Sequence, residues 1–260
     1  MQLLSKTCIF ALGLLLCATV AFAETTGKQH GSPIQTLEDY DRAILGDPDN
    51  AELYKKRGTA YKKLGQYNNA LGDFSRAIQL NANDAGCYYY RGNLYRKLRR
   101  YRRAIEDFNQ AIRLAPDNAR AYNYRGITYK NIGRYQQAIK DYDEAIRLDP
   151  ENADVYVNRG VAYKKLGRYQ NAVKDYDRAI AIDPDNARAY HNRGVTKKKL
   201  GQYQSAIEDY DRAIQLDPHN ARTFIGRGVA YKNLRQYDLA IKDYNRAISL
   251  TPQSAEAYIV

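Results

Sequence analysis

The sequence repeats itself every 34 residues, and this period constrains the fold more than any other feature. Counted from Ala51, six full units cover residues 51–254, preceded by half a unit at 36–50 and followed by the opening of a seventh at 255–260. A period of about 20 to 50 residues is typical of solenoids and other stacked arrays. The predicted units are 51–84, 85–118, 119–152, 153–186, 187–220 and 221–254.

Two sets of positions within the unit carry small and large apolar residues at helical spacing. Positions 4, 8 and 11 and positions 20, 24 and 27 each follow i, i+4, i+7, so each set lies on one face of a helix. Position 8 is Gly and positions 20 and 27 are Ala in every unit. Gly at position 15 in four units and Pro at position 32 in five units indicate where the helices end. The unit is therefore predicted to be a helix, a turn and a second helix.

This pattern of Tyr, Gly, Tyr, Ala, aromatic, Ala and Pro resembles the tetratricopeptide repeat (TPR). The resemblance implies an all-α fold, a right-handed superhelical solenoid of stacked helix–turn–helix units. It also implies a scaffold for protein–protein interaction, in which the first helix of each unit lines a concave groove. In the third unit the matching residues are Tyr122, Gly126, Tyr129, Ala138, Tyr142, Ala145 and Pro150.

The first 23 residues have the pattern of a secretory signal peptide. Lys6 precedes the apolar run from Cys8 to Val20, and Ala21-Phe22-Ala23 forms a small-residue cleavage site. An uncleaved membrane anchor is the alternative, but the apolar run is shorter than the ~20 residues that a spanning helix needs. We therefore expect a signal peptide at 1–23, a linker at 24–35 and no transmembrane segment after cleavage. The protein would then be exported, and periplasmic or secreted in a bacterial envelope.

The resemblance also indicates which positions face the groove: 2, 5, 6, 9, 12 and 13. Ten of the twelve residues at positions 12 and 13 are basic, which favours an acidic protein or peptide partner. The same lysines could instead serve only to keep the solenoid soluble. Tyrosine and asparagine at positions 5, 6 and 9 would stack on and hydrogen-bond to an extended peptide. The predicted groove residues are Lys62, Lys63, Tyr89, Tyr90, Asn93, Arg96, Lys97, Asn123, Tyr124, Lys130, Asn158, Lys164, Lys165, Asn192, Lys198 and Lys199.

Position 7 is Arg and position 23 is Asp in all six units. Each lies one step before a buried position, hence about 100° around the helix from it, at the edge of the packing face. We predict an Arg–Asp pair within each unit that fixes the geometry of the repeat; the alternative is that these arginines face the ligand. Representative pairs are Arg91 with Asp107, Arg125 with Asp141, and Arg159 with Asp175.

The sequence contains no constellation typical of an enzyme or a metal site. Its three histidines, His30, His191 and His219, lack metal-ligand spacing, and no phosphate-binding loop or nucleophile motif is found. We therefore expect no catalytic residue, no metal and no cofactor. The net charge of +12 would suit a nucleic acid, but the predicted export argues against that partner.

Two functions remain from the sequence. The first is a non-catalytic scaffold that binds a peptide or acidic protein segment in the groove, in the assembly of an envelope complex. The second is a polyanion binder that holds an acidic polysaccharide or a lipid surface through the basic stripe. Residues 255–260 are too short to cover the last helix, so this end of the stack either tolerates exposure or meets another molecule. For the second case we predict end-to-end self-association through the last repeat.

Overall fold

The computed structural model describes residues 36–252, which form thirteen α-helices and no strand. The predicted signal peptide, the linker and the segment 255–260 lie outside the described residues. Within the described range, no helix is long and apolar enough to cross a membrane. The helices are α1 (Leu37–Gly46), α2 (Ala51–Lys63), α3 (Tyr67–Leu80), α4 (Ala85–Lys97), α5 (Tyr101–Leu114), α6 (Ala119–Asn131), α7 (Tyr135–Leu148), α8 (Ala153–Lys165), α9 (Tyr169–Ile182), α10 (Ala187–Lys199), α11 (Tyr203–Leu216), α12 (Ala221–Asn233) and α13 (Tyr237–Leu250).

A left-handed residue ends the first helix of every unit. Gly65, Gly133, Gly167 and Gly201 have φ angles between 73° and 76°, a conformation that glycine adopts without steric cost. The other two units place Arg99 and Arg235 at the same point, with φ of 57° and 59°. The turn is therefore the same in all six units, and two of them hold an arginine in a conformation that L-residues other than glycine seldom adopt.

The helices stack in chain order, and the first helices lie on the inner side of the stack. Each helix packs against the one before it and the one after it, and short connections make these neighbours antiparallel. In the described part of the chain, α4, α6, α8, α10 and α12 also contact one another in sequence, whereas successive second helices make no comparable contact. The prediction of an all-α stack of helix–turn–helix units is confirmed.

Glycine at position 8 makes room for the aromatic ring at position 24. Phe74, Phe108, Tyr142, Tyr176 and Tyr210 at this position are all 0% exposed. A Cβ atom added at Gly160 would lie 2.6 Å from Cε1 of Tyr176, closer than side-chain atoms approach in folded proteins. The invariant glycine therefore brings the first helix against the ring of the second.

Each arginine at position 7 joins two units. Nε and Nη2 of Arg159 donate to the two carboxylate oxygens of Asp175 at 2.9 and 2.6 Å, and Nη1 donates to Asp143 of the preceding unit at 2.7 Å. The sequence pattern predicts a pair within the unit but not the contact between units. The equivalent pairs are Arg57 with Asp73, Arg91 with Asp107, Arg125 with Asp141, Arg193 with Asp209, and Arg227 with Asp243.

Candidate binding groove

The buried position-24 rings lie between the first helices of adjacent units, beneath the surface of the groove, and we call this layer the floor. Phe108 stacks on Tyr124 of the next unit, with centroids 6.5 Å apart and planes 19° from parallel. Tyr210 lies 6.0 Å from His191 of its own unit, and its hydroxyl would lie 2.9 Å from a Cβ atom added at Gly226 of the next. The rings are therefore flanked by positions 5 and 6 of the first helices.

The floor changes from apolar to hydroxyl-bearing along the chain. Position 24 is Phe in the first two units and Tyr in the last four. The hydroxyls of Tyr142 and Tyr210 are buried and have no hydrogen-bond partner among the described residues. The exchange of Phe for Tyr is visible in the sequence, but the spacing of position 24 predicts only packing. It places unpaired donors beneath the second half of the groove.

Three tyrosines form one wall in the first half of the groove. Tyr89 meets Tyr90 and Tyr124 edge to face, with ring centroids 5.2 and 5.8 Å apart. Nζ of Lys62 lies 4.4 Å from the centroid of Tyr90, and the guanidinium carbon of Arg96 lies 5.1 Å from that of Tyr124. Cations at these distances are attracted to the ring faces. The wall is thus held in place before any ligand arrives.

The predicted asparagines lie in a network that links the third, fourth and fifth units. Nδ2 of Asn158 donates to Oδ1 of Asn123 at 3.4 Å, and Nη2 of Arg188 donates to Oδ1 of Asn158 at 3.2 Å. Asn192 accepts from Nζ of Lys164 at 2.8 Å and donates to the carbonyl oxygen of Arg188 at 2.9 Å. Arg188, at position 2, was missed as a groove residue, although the resemblance placed position 2 in the groove.

The basic stripe divides into two rows, because positions 12 and 13 lie about 100° apart around the helix. Nζ of Lys97, at position 13, is 5.3 Å from the ring centroid of Tyr67 on the second helix of the preceding unit. At position 12, Arg96 donates from Nη2 to Oδ1 of Asn93 at 2.7 Å. The inner row, at position 12, is half-buried in the first five units, where it consists of Lys62, Arg96, Lys130, Lys164 and Lys198, whereas Lys232 of the sixth unit is exposed. The outer row, at position 13, is exposed and includes Lys63, Lys97, Lys165 and Lys199.

Lys130 is the most unusual member of the inner row. No carboxylate or hydrogen-bond acceptor in residues 36–252 pairs with its ammonium group. Burial lowers the pKa of Lys130 to about 8, and the positive charges of Arg188 and Arg96 add to this shift. Burial also lowers the pKa of Lys164 to about 8, with a contribution from Lys165. At neutral pH the groove therefore holds a charged, half-buried lysine whose three donors have no acceptor among the described residues.

The histidine and the cysteine in this region have altered proton affinities. Burial lowers the pKa of His191 to about 4, assisted by the charges of Lys164 and Lys198 among others, so the ring is neutral at pH 7. Its Nδ1 lies 3.0 Å from Oγ1 of Thr223 in the next unit.

Burial raises the pKa of Cys87 to about 12, which leaves the thiol unreactive. In the part of the chain that the structure describes, no group of His, Cys, Asp and Glu could hold a metal ion.

These features define a class of protein: an α-helical repeat solenoid with a polar and aromatic groove along its inner helices. The chain belongs to the tetratricopeptide repeat family. Family models described as tetratricopeptide repeat or TPR repeat match residues 51–84, 85–118, 108–140, 128–167, 162–201, 187–220 and 221–254. A search of curated proteins finds no match.

Solved structures of TPR proteins resemble this chain over most of its length. MamA is 27% identical, with a TM-score of 0.59 over 68% of this chain and 96% of MamA. YrrB, described as a TPR protein with an unusual peptide-binding site, is 25% identical, with a TM-score of 0.59 over 71% of this chain and 95% of YrrB. PilW, described as a type IV pilus biogenesis factor, reaches a TM-score of 0.73 over 80% of this chain and 96% of PilW. PilW is 20% identical, so it shows the fold alone.

Proposed function

We propose that the chain is a non-catalytic scaffold that binds an acidic peptide segment of a partner protein along its groove. The observation that carries the proposal is Lys130, a half-buried ammonium group without an acceptor among the described residues, beside Arg96 and Arg188. A half-buried cation among like charges is unfavourable unless an anion joins it. A carboxylate of the ligand would supply that anion and accept hydrogen bonds from Nζ of Lys130. The charges of Arg96 and Arg188 would add to the attraction, although Arg188 is already paired with Asp154 at 3.3 Å.

The rest of the groove suits a peptide better than a small molecule. The wall of Tyr89, Tyr90 and Tyr124 is half-buried, so it leaves part of its aromatic surface for contact with an apolar or aromatic side chain of the peptide. The groove runs along the inner helices of successive units, which matches an extended segment with several contact points. YrrB, a similar structure described as having a peptide-binding site, supports a peptide as the ligand class.

Export and envelope assembly are part of the same proposal. The pattern of residues 1–23 supports export, although those residues lie outside the described range. An exported scaffold without a catalytic centre would bring components of an envelope complex together. The measurement is the mass of the chain recovered from its native cells: loss of residues 1–23 is expected, and an intact leader would contradict export.

Self-association through the last repeat is the remaining part of the proposal. The last described helix, α13, leaves Tyr237, Leu239 and Ile241 exposed. Ile207, which occupies the position of Ile241 one unit earlier, is 4% exposed because the following unit covers it. A second copy that stacks on α13 would cover this face in the same way. Light scattering over a concentration series should show dimers, and a monomer at all concentrations would contradict this part.

The groove function can be tested without knowing the partner. Random peptides displayed on phage are selected against the full chain, and the enriched peptides are synthesised and titrated by fluorescence anisotropy. We expect enriched peptides to contain Asp or Glu and to bind Lys130→Gln at least about tenfold more weakly than wild type. Wild-type affinity should also fall as the pH rises above about 8, because Lys130 then loses its charge.

The matched control is Lys140→Gln, which removes an exposed lysine from a second helix and the same unit of charge. It should bind the enriched peptides as the wild type does. Peptides that lack acidic residues, or that bind the two variants equally, would refute the carboxylate anchor. Failure to enrich any peptide would refute the groove function itself.

A further inference from the structure

The two edges of the stack carry opposite charge. The turns from first to second helix, positions 12 to 19 of each unit, contain seventeen basic residues and one acidic residue. The turns on the opposite edge, in the segments 46–52, 80–86, 114–120, 148–154, 182–188 and 216–222, contain eleven acidic and three basic residues. Because consecutive helices are antiparallel, the first set of turns lies along one edge and the second set along the other. One edge is therefore strongly basic.

The basic charge is concentrated at the second unit. The turn between α4 and α5 supplies six of the seventeen basic residues, and five of those six are arginine. Arg99, Arg100, Arg102 and Arg103 are all exposed, and Arg134 of the next turn lies beside them. Arg102 is 3.3 Å from Glu106, and no other ion pair is found for these five residues in the described part of the chain. We call Arg99, Arg100, Arg102, Arg103 and Arg134 the basic turn patch.

Two surface hollows lie in the patch. One hollow, of about 560 Å³, is lined by Arg100, Tyr101, Arg102 and Arg103. A second, of about 530 Å³, joins Tyr101 and Arg102 to Arg134 across the boundary between units. Guanidinium groups donate two parallel hydrogen bonds to a phosphate, which lysines at the other turns do not. At the positions of Arg99, Arg100, Arg102 and Arg103 the other units hold mostly glycine, glutamine or asparagine, so this turn gains guanidinium groups that the other turns lack. This gain favours a phosphate-bearing ligand.

Exposed apolar side chains flank the arginines. Leu64, at the turn of the preceding unit, is 61% exposed, and Ile132, at the turn of the following unit, is 37% exposed. Ile132 lines the second hollow together with Arg134. A soluble phosphate polymer makes no use of such side chains, whereas a bilayer surface accepts apolar groups between its headgroups. Arginine flanked by exposed leucine and isoleucine thus fits a membrane surface better than a polymer in solution.

Arg99 also occupies a place where four of the other units have glycine. Its φ of 57° costs free energy that glycine would avoid. Arg235 shows the same backbone conformation at the sixth unit, where the turn holds no comparable cluster. The backbone strain alone therefore does not mark a binding site. Because Arg235 has the same strain outside the patch, Arg235→Gly serves as a control for the relief of strain in Arg99→Gly.

We propose that the basic turn patch docks the protein edge-on to a bilayer that contains anionic phospholipid, with Leu64 and Ile132 entering the headgroup layer. This docking site is separate from the groove and does not depend on the proposed peptide function. Because the patch lies at the turns, the inner faces of the first helices stay open to a peptide while the edge contacts the membrane. The acidic edge faces away from the anionic surface, which orients the protein.

The test is binding of the full chain to vesicles. Vesicles of phosphatidylcholine with about 30% phosphatidylglycerol are compared with phosphatidylcholine alone by co-flotation, since each basic residue near an anionic surface contributes about fivefold in affinity. We expect binding to the anionic vesicles only, and weaker binding as the salt concentration rises. The patch variant replaces four arginines with residues found at the same positions in other units, so that it keeps the repeat pattern. It carries Arg99→Gly, Arg100→Gln, Arg102→Gln and Arg103→Gln.

A control variant removes the same charge elsewhere and relieves the same strain. It carries Lys140→Gln, Lys174→Gln, Arg235→Gly and Lys242→Gln. The patch variant should bind anionic vesicles at least about thirtyfold more weakly, and the control should bind as the wild type does. Equal loss in both variants would show that net charge alone acts, and absence of wild-type binding to either vesicle would refute the proposal. Binding of soluble long-chain polyphosphate without binding to vesicles would also overturn it.

Discussion

Replacing Tyr142 with Phe should stabilise the protein. The Tyr142 side chain is 0% exposed, and its hydroxyl has no hydrogen-bond partner among the described residues. In the unfolded chain that hydroxyl is bonded to water, so folding loses its hydrogen bonds, which costs about 1–3 kcal/mol. Phe74 and Phe108 occupy the same position in the first two units, so the ring without its hydroxyl already fits this packing. We expect the free energy of unfolding to rise by about 1 kcal/mol.

The matched control is Tyr156→Phe. The hydroxyl of Tyr156 donates to the carbonyl oxygen of Pro150 at 3.2 Å, and the residue is 8% exposed. Its removal should lower the free energy of unfolding by about 0.5–1.5 kcal/mol. Removal of the hydroxyl is therefore expected to raise the free energy of unfolding at Tyr142, which has no hydrogen-bond partner among the described residues, and to lower it at Tyr156, which has one.

Urea unfolding followed by far-UV circular dichroism measures both changes. The slope of the free energy of unfolding against urea concentration must be the same in the wild type and both variants. A repeat array can lose two-state behaviour, and its unfolding then yields no single free energy. A loss of stability in Tyr142→Phe equal to that in Tyr156→Phe would refute the reasoning. It would mean that the Tyr142 hydroxyl has a partner, such as an ordered water in the floor of the groove.

Three further predictions concern charge and proton affinity. Replacing Arg125 or Asp141 singly should lower the free energy of unfolding by about 3–5 kcal/mol, whereas apolar residues at both positions should leave it nearly unchanged. The reason is that burial disfavours the charged carboxylate and raises the pKa of Asp141 even beside the guanidinium. A double-mutant cycle without coupling would contradict this prediction. The free energy of unfolding should fall as the pH drops from about 6.5 to about 4, since the unfolded chain binds a proton at His191 before the folded chain does. Urea titrations of His191→Gln should show a shallower fall, and an equal fall would contradict the assignment. The Cys87 thiol should react with Ellman's reagent at least about a hundredfold more slowly in the folded protein than in urea, and equal rates would contradict its burial.

The repeating parts of the fold were predictable, because the same residue types recur at the same positions in six units. Gly126 and Tyr142 recur at the same positions in every unit or nearly so, which predicted a close contact between the two helices. The Arg–Asp spacing likewise suggested proximity within the unit. The contact of Arg159 with Asp143 was not predictable, since it depends on the rotation from one unit to the next, which the pattern within a single unit does not specify.

The groove was predicted less completely for the same reason. Positions 12 and 13 looked equivalent in the sequence, and only the direction of the side chains separates Lys130, which enters the groove, from Lys165, which faces solvent. Arg188 reaches Asn158 in the preceding unit, so its role requires the relative placement of two inner helices. Lys197, which departs from the usual Tyr at position 11, lies 3.0 Å from Asp209 and joins the Arg193 pair.

Apart from Lys130, whose position is basic in every unit, the residues with proposed binding roles are largely those that depart from the repeat. Glycine, alanine and aromatic residues at the packing positions recur because each copy must stack on the next, and the stability of such an array is a sum over neighbouring units. A substitution at these positions therefore disturbs an interface, whereas one at an exposed position of the groove or of a turn disturbs it less. That freedom explains why the second unit can carry Tyr89 and Tyr90 on its inner face and Arg99 at its turn without loss of the stack. The left-handed Arg99 is the extreme case, because stacking requires only the turn, and glycine would form that turn at lower cost.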